Sequence, residues 1–130
     1  VMVSPSRFMP REHLVDVGRA IADAASRDGR RIGFIASCDW AHTHAPEGPY
    51  GFHSSASEVD AFVVDAVRRN AIERIGMLSD EQAATAAIDG LWQTLILQGV
   101  LERVPMRAEL LSYEAPTYYG MLVARWLPLA

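Results

Sequence analysis

The stretch that decides the fold reads RIGFIAS at residues 31–37 and continues as CDWAHTH at residues 38–44. Residues 31–37 are mostly apolar, follow the turn pair Asp28-Gly29, and show no alternation of apolar and polar side chains. A short run of this kind is typical of a strand that is buried on both faces, as in a parallel sheet. We therefore predict an α/β fold with a central, mostly parallel sheet, flanking helices and a C-terminal strand pair.

Helical patterns lie on both sides of this predicted strand. Pro10 suits the first turn of a helix, where its missing N–H is not needed, and apolar residues then recur at helical spacing as far as Asp28-Gly29. This helix would connect a strand at residues 1–3 to the strand at residues 31–37. A further helix is predicted from Ser57, because Ser57 with Asp60 three residues on resembles a helix start. Two more helices are predicted: one is capped by Ser79 and Gln82 and runs to about Ala87, and the other follows Asp89-Gly90 and places Trp92 and Leu95 in the core. Strands are predicted at residues 107–115 and 119–127.

Composition limits the possible classes of protein. The chain has 130 residues, of which 50% are hydrophobic and 22% charged, so we expect one packed domain over residues 1–130. The net charge of −4 argues against nucleic acid as a partner, and no apolar run reaches the ~20 residues that span a bilayer. The single Cys38 excludes an intrachain disulfide framework and favours a reducing, cytoplasmic location. We expect a homo- or hetero-oligomer, in which the apolar residues 126–129 could serve a subunit interface.

A polar loop carries the residues with the clearest chemical potential. Asp39, His42, His44 and His53 follow the carboxyl end of the predicted strand, where open α/β sheets place their ligands. A histidine there can carry a proton or bind a metal, because its ordinary pKa is about 6.5. Asp39 and His42 are three residues apart, so in a helical turn the carboxylate can orient the imidazole. We therefore single out Asp39 and His42 as a candidate acid–base pair.

The other candidates in and near the loop have plainer interpretations. His44 could line a pocket, bind substrate oxygens or only brace the loop. His53 and His13 are expected to be solvated or hydrogen-bonded side chains, and Cys38 a small buried residue rather than a nucleophile. The common phosphate-binding, dinucleotide-binding, zinc and serine-hydrolase motifs are missing from the sequence. These residues alone support only an α/β domain with a polar loop that contains histidines.

Several segments, taken in order, add a resemblance. They read SPSR at residues 4–7, SCDWAH at 37–42, GPYGF at 48–52, SEVD at 57–60 and LSYEAPTYYG at 111–120. This series resembles the catalytic, beta-type subunits of class III extradiol ring-cleavage dioxygenases, the family typified by protocatechuate 4,5-dioxygenase. The family pattern S-G-D-L-[AS]-H is altered here by Cys38 and Trp40. The resemblance covers nearly all of this chain but only the C-terminal half of the family, so we expect a longer protein.

The resemblance implies a specific activity and a specific set of residues. Such enzymes cleave a catechol- or aminophenol-type ring with O2, using a non-haem Fe(II) held by two His and one carboxylate. The carboxylate ligand maps onto Glu114, and the acid–base histidine maps onto His42 with Asp39 beside it. His44 and Tyr118 are the expected substrate-binding residues. The two His ligands belong to the half of the family that precedes this chain, so we expect the chain alone to be inactive.

Two other functions stay open at this point. One is a non-catalytic relative, either an alpha-type partner subunit or a Memo-like binding protein, whose Asp-x-x-His segment resembles the same loop. The other is an unrelated α/β domain with a histidine-rich loop and no metal dependence. Two His ligands upstream of this chain in the natural gene would favour the enzyme over both.

Overall fold

A computed structural model describes residues 1–129 and has a mixed helix and strand fold. Its elements in chain order are α1 (Arg11–Asp28), α2 (Ser55–Arg68), a 3₁₀ helix (Ile72–Met77), α3 (Asp80–Thr85), α4 (Leu91–Arg103), β1 (Met106–Glu114) and β2 (Met121–Pro128). The C-terminal strand pair and the predicted helices are confirmed, whereas the 3₁₀ helix was not predicted. None of the described helices combines the length and the apolar content needed to cross a bilayer.

The predicted parallel sheet is not present within residues 1–129. The sheet described there is the antiparallel pair of β1 and β2, and residues 1–3 and 31–37 belong to no strand. Most of residues 31–37 are exposed, and Ile35 exposes 85% of its surface. A continuous apolar run indicates burial only where a neighbouring strand can pair with its backbone groups. No other part of the described chain supplies that strand.

Local sequence patterns predicted the helix ends better than the apolar run predicted a strand. Helix α1 begins directly after Pro10 and ends at Gly29, whose φ of +75° is the left-handed conformation that glycine adopts without strain. The N–H of Gln82 donates to Ser79 Oγ at 3.0 Å, and the N–H of Ser79 donates to Gln82 Oε1 at 2.9 Å. This capping box starts α3 as predicted. Helix α3 ends at Thr85, slightly before the predicted end, and α2 starts two residues before Ser57.

Helices α1 and α4 cross in very close contact. A Cβ built on Gly18 would lie 1.9 Å from the carbonyl oxygen of Ile96, and one built on Gly99 would lie 1.9 Å from that of Val15. Only glycine fits at either position, because any side chain would overlap the backbone of the other helix. The crossing fixes α4, and with it the residues that precede α4, relative to the N-terminal helix.

The hairpin of β1 and β2 covers α2, and a bulge changes which residues face inward. Ala108 and Leu110 of β1 pack on the core, but the register shifts between Leu110 and Ser112. Beyond the bulge, Tyr113 faces α2, because its hydroxyl reaches Asp60. Successive strand residues point to opposite faces, so Glu114 lies on the outer face and is exposed.

The residues of the predicted interface segment 126–129 differ in burial. Trp126 packs against the core from β2, whereas Leu129 exposes 60% of its surface. Trp126 therefore packs within this chain, and an oligomer interface at residues 126–129 stays a prediction.

Candidate functional site

Two loops that are distant in the sequence run side by side at the centre of the site. The N–H of Trp40 donates to Gly120 O and the N–H of Gly120 donates to Ala41 O, both at 2.9 Å, while the N–H of His44 donates to Tyr118 O at 3.1 Å. These bonds join residues 39–44, which carry the Asp-x-x-His segment, to residues 118–120. Two of the segments that carry the resemblance are therefore neighbours in space.

His42 is held at its backbone and at one ring nitrogen. Its N–H donates to Ala86 O at 2.8 Å, and its Nδ1 lies 2.7 Å from Ala87 O. A carbonyl oxygen can only accept, so Nδ1 carries the proton in this bond. Ala87 has a φ of +48°, in the left-handed region that costs a non-glycine residue energy. That strained residue presents the carbonyl that fixes the ring.

The other ring nitrogen faces a carboxylate. Nε2 of His42 lies 3.2 Å from Oδ1 of Asp39, and the two side chains are 14% and 35% exposed. Since Nδ1 already holds a proton, Nε2 donates to Asp39 only in the imidazolium form and is a free acceptor in the neutral form. The exchangeable proton of His42 is therefore at Nε2, with Asp39 placed to stabilise the charged state.

Three tyrosines surround the imidazole. The ring of Tyr119 stacks on His42 with centroids 5.7 Å apart and an interplanar angle of 22°, while Tyr50 approaches edge-on at 5.3 Å and Tyr118 lies at 6.0 Å. Aromatic contacts at these separations are favourable and limit rotation of the ring. Tyr118 therefore lies beside His42, and its expected role in substrate binding stays a prediction.

Asp39, His42 and Tyr50 line a cleft of about 720 Å³. This volume falls within the range of small-molecule sites. Trp92 lies on the cleft wall rather than fully within the core, and the Arg7 guanidinium lies 4.6 Å over its ring. Arg7 also pairs with Asp89 at 2.7 Å, so its charge is already balanced. The N-terminal segment and the start of α4 thus contribute to the cleft wall together with residues 39–44.

His44 braces the loop. Its Nε2 lies 2.8 Å from Oδ2 of Asp60, and it does not line the cleft. Of the three alternatives that the sequence left open, the geometry supports bracing, while substrate binding by His44 stays a prediction. Sequence reasoning had noticed Asp60 only as a weak helix-start signal. The better signal was an acidic residue beside Val59 and Val63 on the apolar face of α2, where a carboxylate needs several donors.

Glu114 stands apart from this cluster. It is exposed on the outer face of the hairpin, and no hydrogen bond or ion pair joins it to Asp39, His42 or His44 in the described residues. Within residues 1–129, no three His, Cys, Asp or Glu side chains form a group that could hold a metal. The described residues therefore do not supply the ligand set of an Fe(II) centre by themselves.

The remaining candidates behave as ordinary side chains. His53 is exposed and its Nδ1 pairs with Ser55 Oγ at 2.7 Å, and His13 is exposed on α1. Burial, followed by the nearby charges of Asp89 and Asp39, raises the pKa of the Cys38 thiol to about 12. The thiolate is the nucleophilic form, so the raised pKa argues against a nucleophilic role for Cys38.

Comparison with known proteins gives one distant relative. No known protein-family model matches the chain. Protein CA_C1420 of Clostridium acetobutylicum is 26% identical over 97 residues, which make up 75% of this chain and 21% of that protein. The chain therefore spans about a fifth of the length of the curated relative that it matches. The name of that relative states no activity.

Proposed function

We propose that this chain forms the proton-transfer part of an extradiol-type dioxygenase, which cleaves a catechol- or aminophenol-type ring with O2. The observation that carries the proposal is the state of His42. Its Nδ1 proton is committed to Ala87 O, and its Nε2 lies beside Asp39 at the cleft wall. A histidine fixed in this way accepts and returns a proton at one defined atom.

The residues of the chain suggest how the proton moves. A ring hydroxyl within hydrogen-bond distance of Nε2 gives its proton to the neutral imidazole, and the Asp39 carboxylate stabilises the imidazolium that forms. The same nitrogen can later return the proton to an oxygen of the opened ring. General acid–base help of this kind contributes about 100- to 10,000-fold to a rate. Tyr50 and Trp92 supply aromatic surface in the same cleft for a single-ring substrate.

The proposal requires chain outside these residues. Fe(II) would need two His ligands from upstream sequence. Glu114 would be the third ligand, and its exposed position on the outer face of the hairpin would leave it accessible to that upstream chain. Residues 31–37, which belong to no strand and are mostly exposed here, would then become a strand of the parallel sheet that their apolar character predicts. A cytoplasmic location and an oligomeric assembly belong to the same proposal.

The test compares this chain with the full-length gene product. Both are loaded anaerobically with Fe(II), and O2 uptake is measured with a panel of catechols and aminophenols. We expect iron and ring cleavage only in the longer protein. There, Glu114→Ala should abolish iron retention, which normal iron content would contradict.

The role of His42 has its own pair of variants. In the longer protein, His42→Ala should retain iron and lose about 100-fold or more in turnover. His53→Ala is the matched control from the same loop, and its turnover should be normal. Normal turnover in His42→Ala would contradict the role of His42. Absence of iron from both proteins would favour the non-catalytic relative, a partner subunit or binding protein.

A further inference from the structure

Asp60 is a buried charge at a junction of the fold. It lies on the inner face of α2 and exposes 1% of its surface. A carboxylate in such a place is unfavourable unless hydrogen bonds compensate for its lost hydration. Oδ1 accepts the N–H of Ala41 at 3.0 Å, and Oδ2 accepts from the Tyr113 hydroxyl at 2.6 Å and pairs with His44 Nε2 at 2.8 Å. Two groups from residues 41–44 and one from β1 therefore converge on one side chain.

These partners lie on both sides of the site. Ala41 immediately precedes His42, and Tyr113 belongs to β1, which leads into residues 118–120. Gly120 passes so close to the carboxylate that a Cβ built on it would lie 1.9 Å from Oδ2 of Asp60. Asp60 thus contacts both of the loops whose backbones pair around His42.

We propose that Asp60 is a positioning residue for His42, holding residues 41–44 against residues 118–120 so that Nε2 faces the cleft. The inference rests on the proposed role of His42 as a proton carrier. It depends on the carboxylate having an acceptor at each end, one for Ala41 and the other for His44 and Tyr113. Burial and the hydrogen bond to Asp60 raise the pKa of Tyr113, so the phenol stays protonated and remains a donor.

The substitution Asp60→Asn tests this directly, because an amide of nearly the same shape has only one acceptor end. The matched control is Asp65→Asn on the same helix, where a partly exposed carboxylate pairs with Arg69 and Arg74. Amide hydrogen exchange at Ala41 and the ¹⁵N signals of the imidazoles are measured in this chain. For Asp60→Asn we expect the ring signals of His42 to shift. We also expect either a loss of at least ~10-fold in the hydrogen-exchange protection of the Ala41 amide or a change of the protonated ring nitrogen of His44.

The outcomes separate positioning from simple support of the fold. Unchanged ring signals of His42 in a folded Asp60→Asn protein would overturn the proposal, as would equal shifts in Asp65→Asn. If Asp60→Asn does not fold, Tyr113→Phe removes a single donor and keeps the carboxylate. That variant should shift the ring signals of both His44 and His42, and a shift of His44 alone would overturn the proposal.

These measurements are independent of the dioxygenase proposal. They need neither iron nor turnover, so a longer protein without ring-cleaving activity would contradict the proposed function and leave the role of Asp60 intact. Conversely, normal kcat in an Asp60→Asn variant of an active longer protein would contradict positioning while the proposed reaction stood.

Discussion

Residues 31–37 and residues 39–44 are adjacent in the sequence and differ sharply in how they are held. The first segment is mostly apolar and mostly exposed, and it belongs to no strand. The second is richer in polar residues, yet its backbone pairs with Tyr118, Gly120 and Ala86, and a buried carboxylate accepts the N–H of Ala41. The difference shows that apolar composition alone does not bury a segment, because the backbone polar groups also need partners.

The largest expected effect comes from comparing two apolar side chains. Leu91 is 0% exposed in the core, and Ile35 is 85% exposed in residues 31–37. Leu91→Ala should lower the free energy of unfolding of this chain by about 2–5 kcal/mol through lost burial and a cavity. Ile35→Ala should change it by less than about 0.5 kcal/mol. Urea titration measures both values.

A large loss of unfolding free energy in Ile35→Ala would contradict the difference between the two segments, because it would mean that residues 31–37 are packed. In the longer protein of the proposed function, the same substitution should become costly. A larger cost in the longer protein than in this chain would show that residues 31–37 are buried only when the additional chain is present.

A matched pair of glycines gives the next effect. A Cβ at Gly120 would overlap Oδ2 of Asp60, whereas one at Gly33 would meet nothing within 4 Å. Gly120→Ala should therefore destabilise the chain by about 1–3 kcal/mol, and Gly33→Ala should be nearly neutral. Equal unfolding midpoints for the two variants would show that the contact of Gly120 with Asp60 is not tight.

An effect that appears only at alkaline pH concerns Cys38, which lies between the two segments. Its pKa in the folded chain is raised to about 12, above the ordinary value of about 8.5. The stability that comes from the neutral thiol is therefore complete below pH about 8.5 and is lost as the pH rises towards 12. Unfolding measured across this pH range should show a shallower decline in Cys38→Ala than in the original chain.

Alkylation of the thiol checks the same property independently. Modification of Cys38 by iodoacetamide at neutral pH should be slow in the folded chain and fast in urea. Rapid modification of the folded protein would contradict the buried, protonated state.

Sequence patterns predicted the elements that depend on local chemistry. Gly29, and the cap of Ser79 with Gln82, mark helix ends that need only neighbouring residues. The strand at residues 31–37 could not be decided in this way, because pairing depends on chain that is distant in the sequence.

The site followed the same division between local and distant interactions. The Asp39–His42 pair came from a spacing of three residues, and it is present in the structure. The role of Asp60 depends on partners far away along the chain. The outward position of Glu114 follows from a bulge after Leu110, which no local pattern in β1 indicated.

The tautomer of His42 in this chain tests the proposed proton carrier most directly. ¹⁵N spectra of the imidazoles are recorded at pH ~9, well above the ordinary imidazole pKa of about 6.5, with His42→Gln used to assign the signals. We predict that the neutral ring keeps its proton on Nδ1, bonded to Ala87 O, and leaves Nε2 free to accept. A neutral ring protonated on Nε2 would contradict the proposed proton carrier.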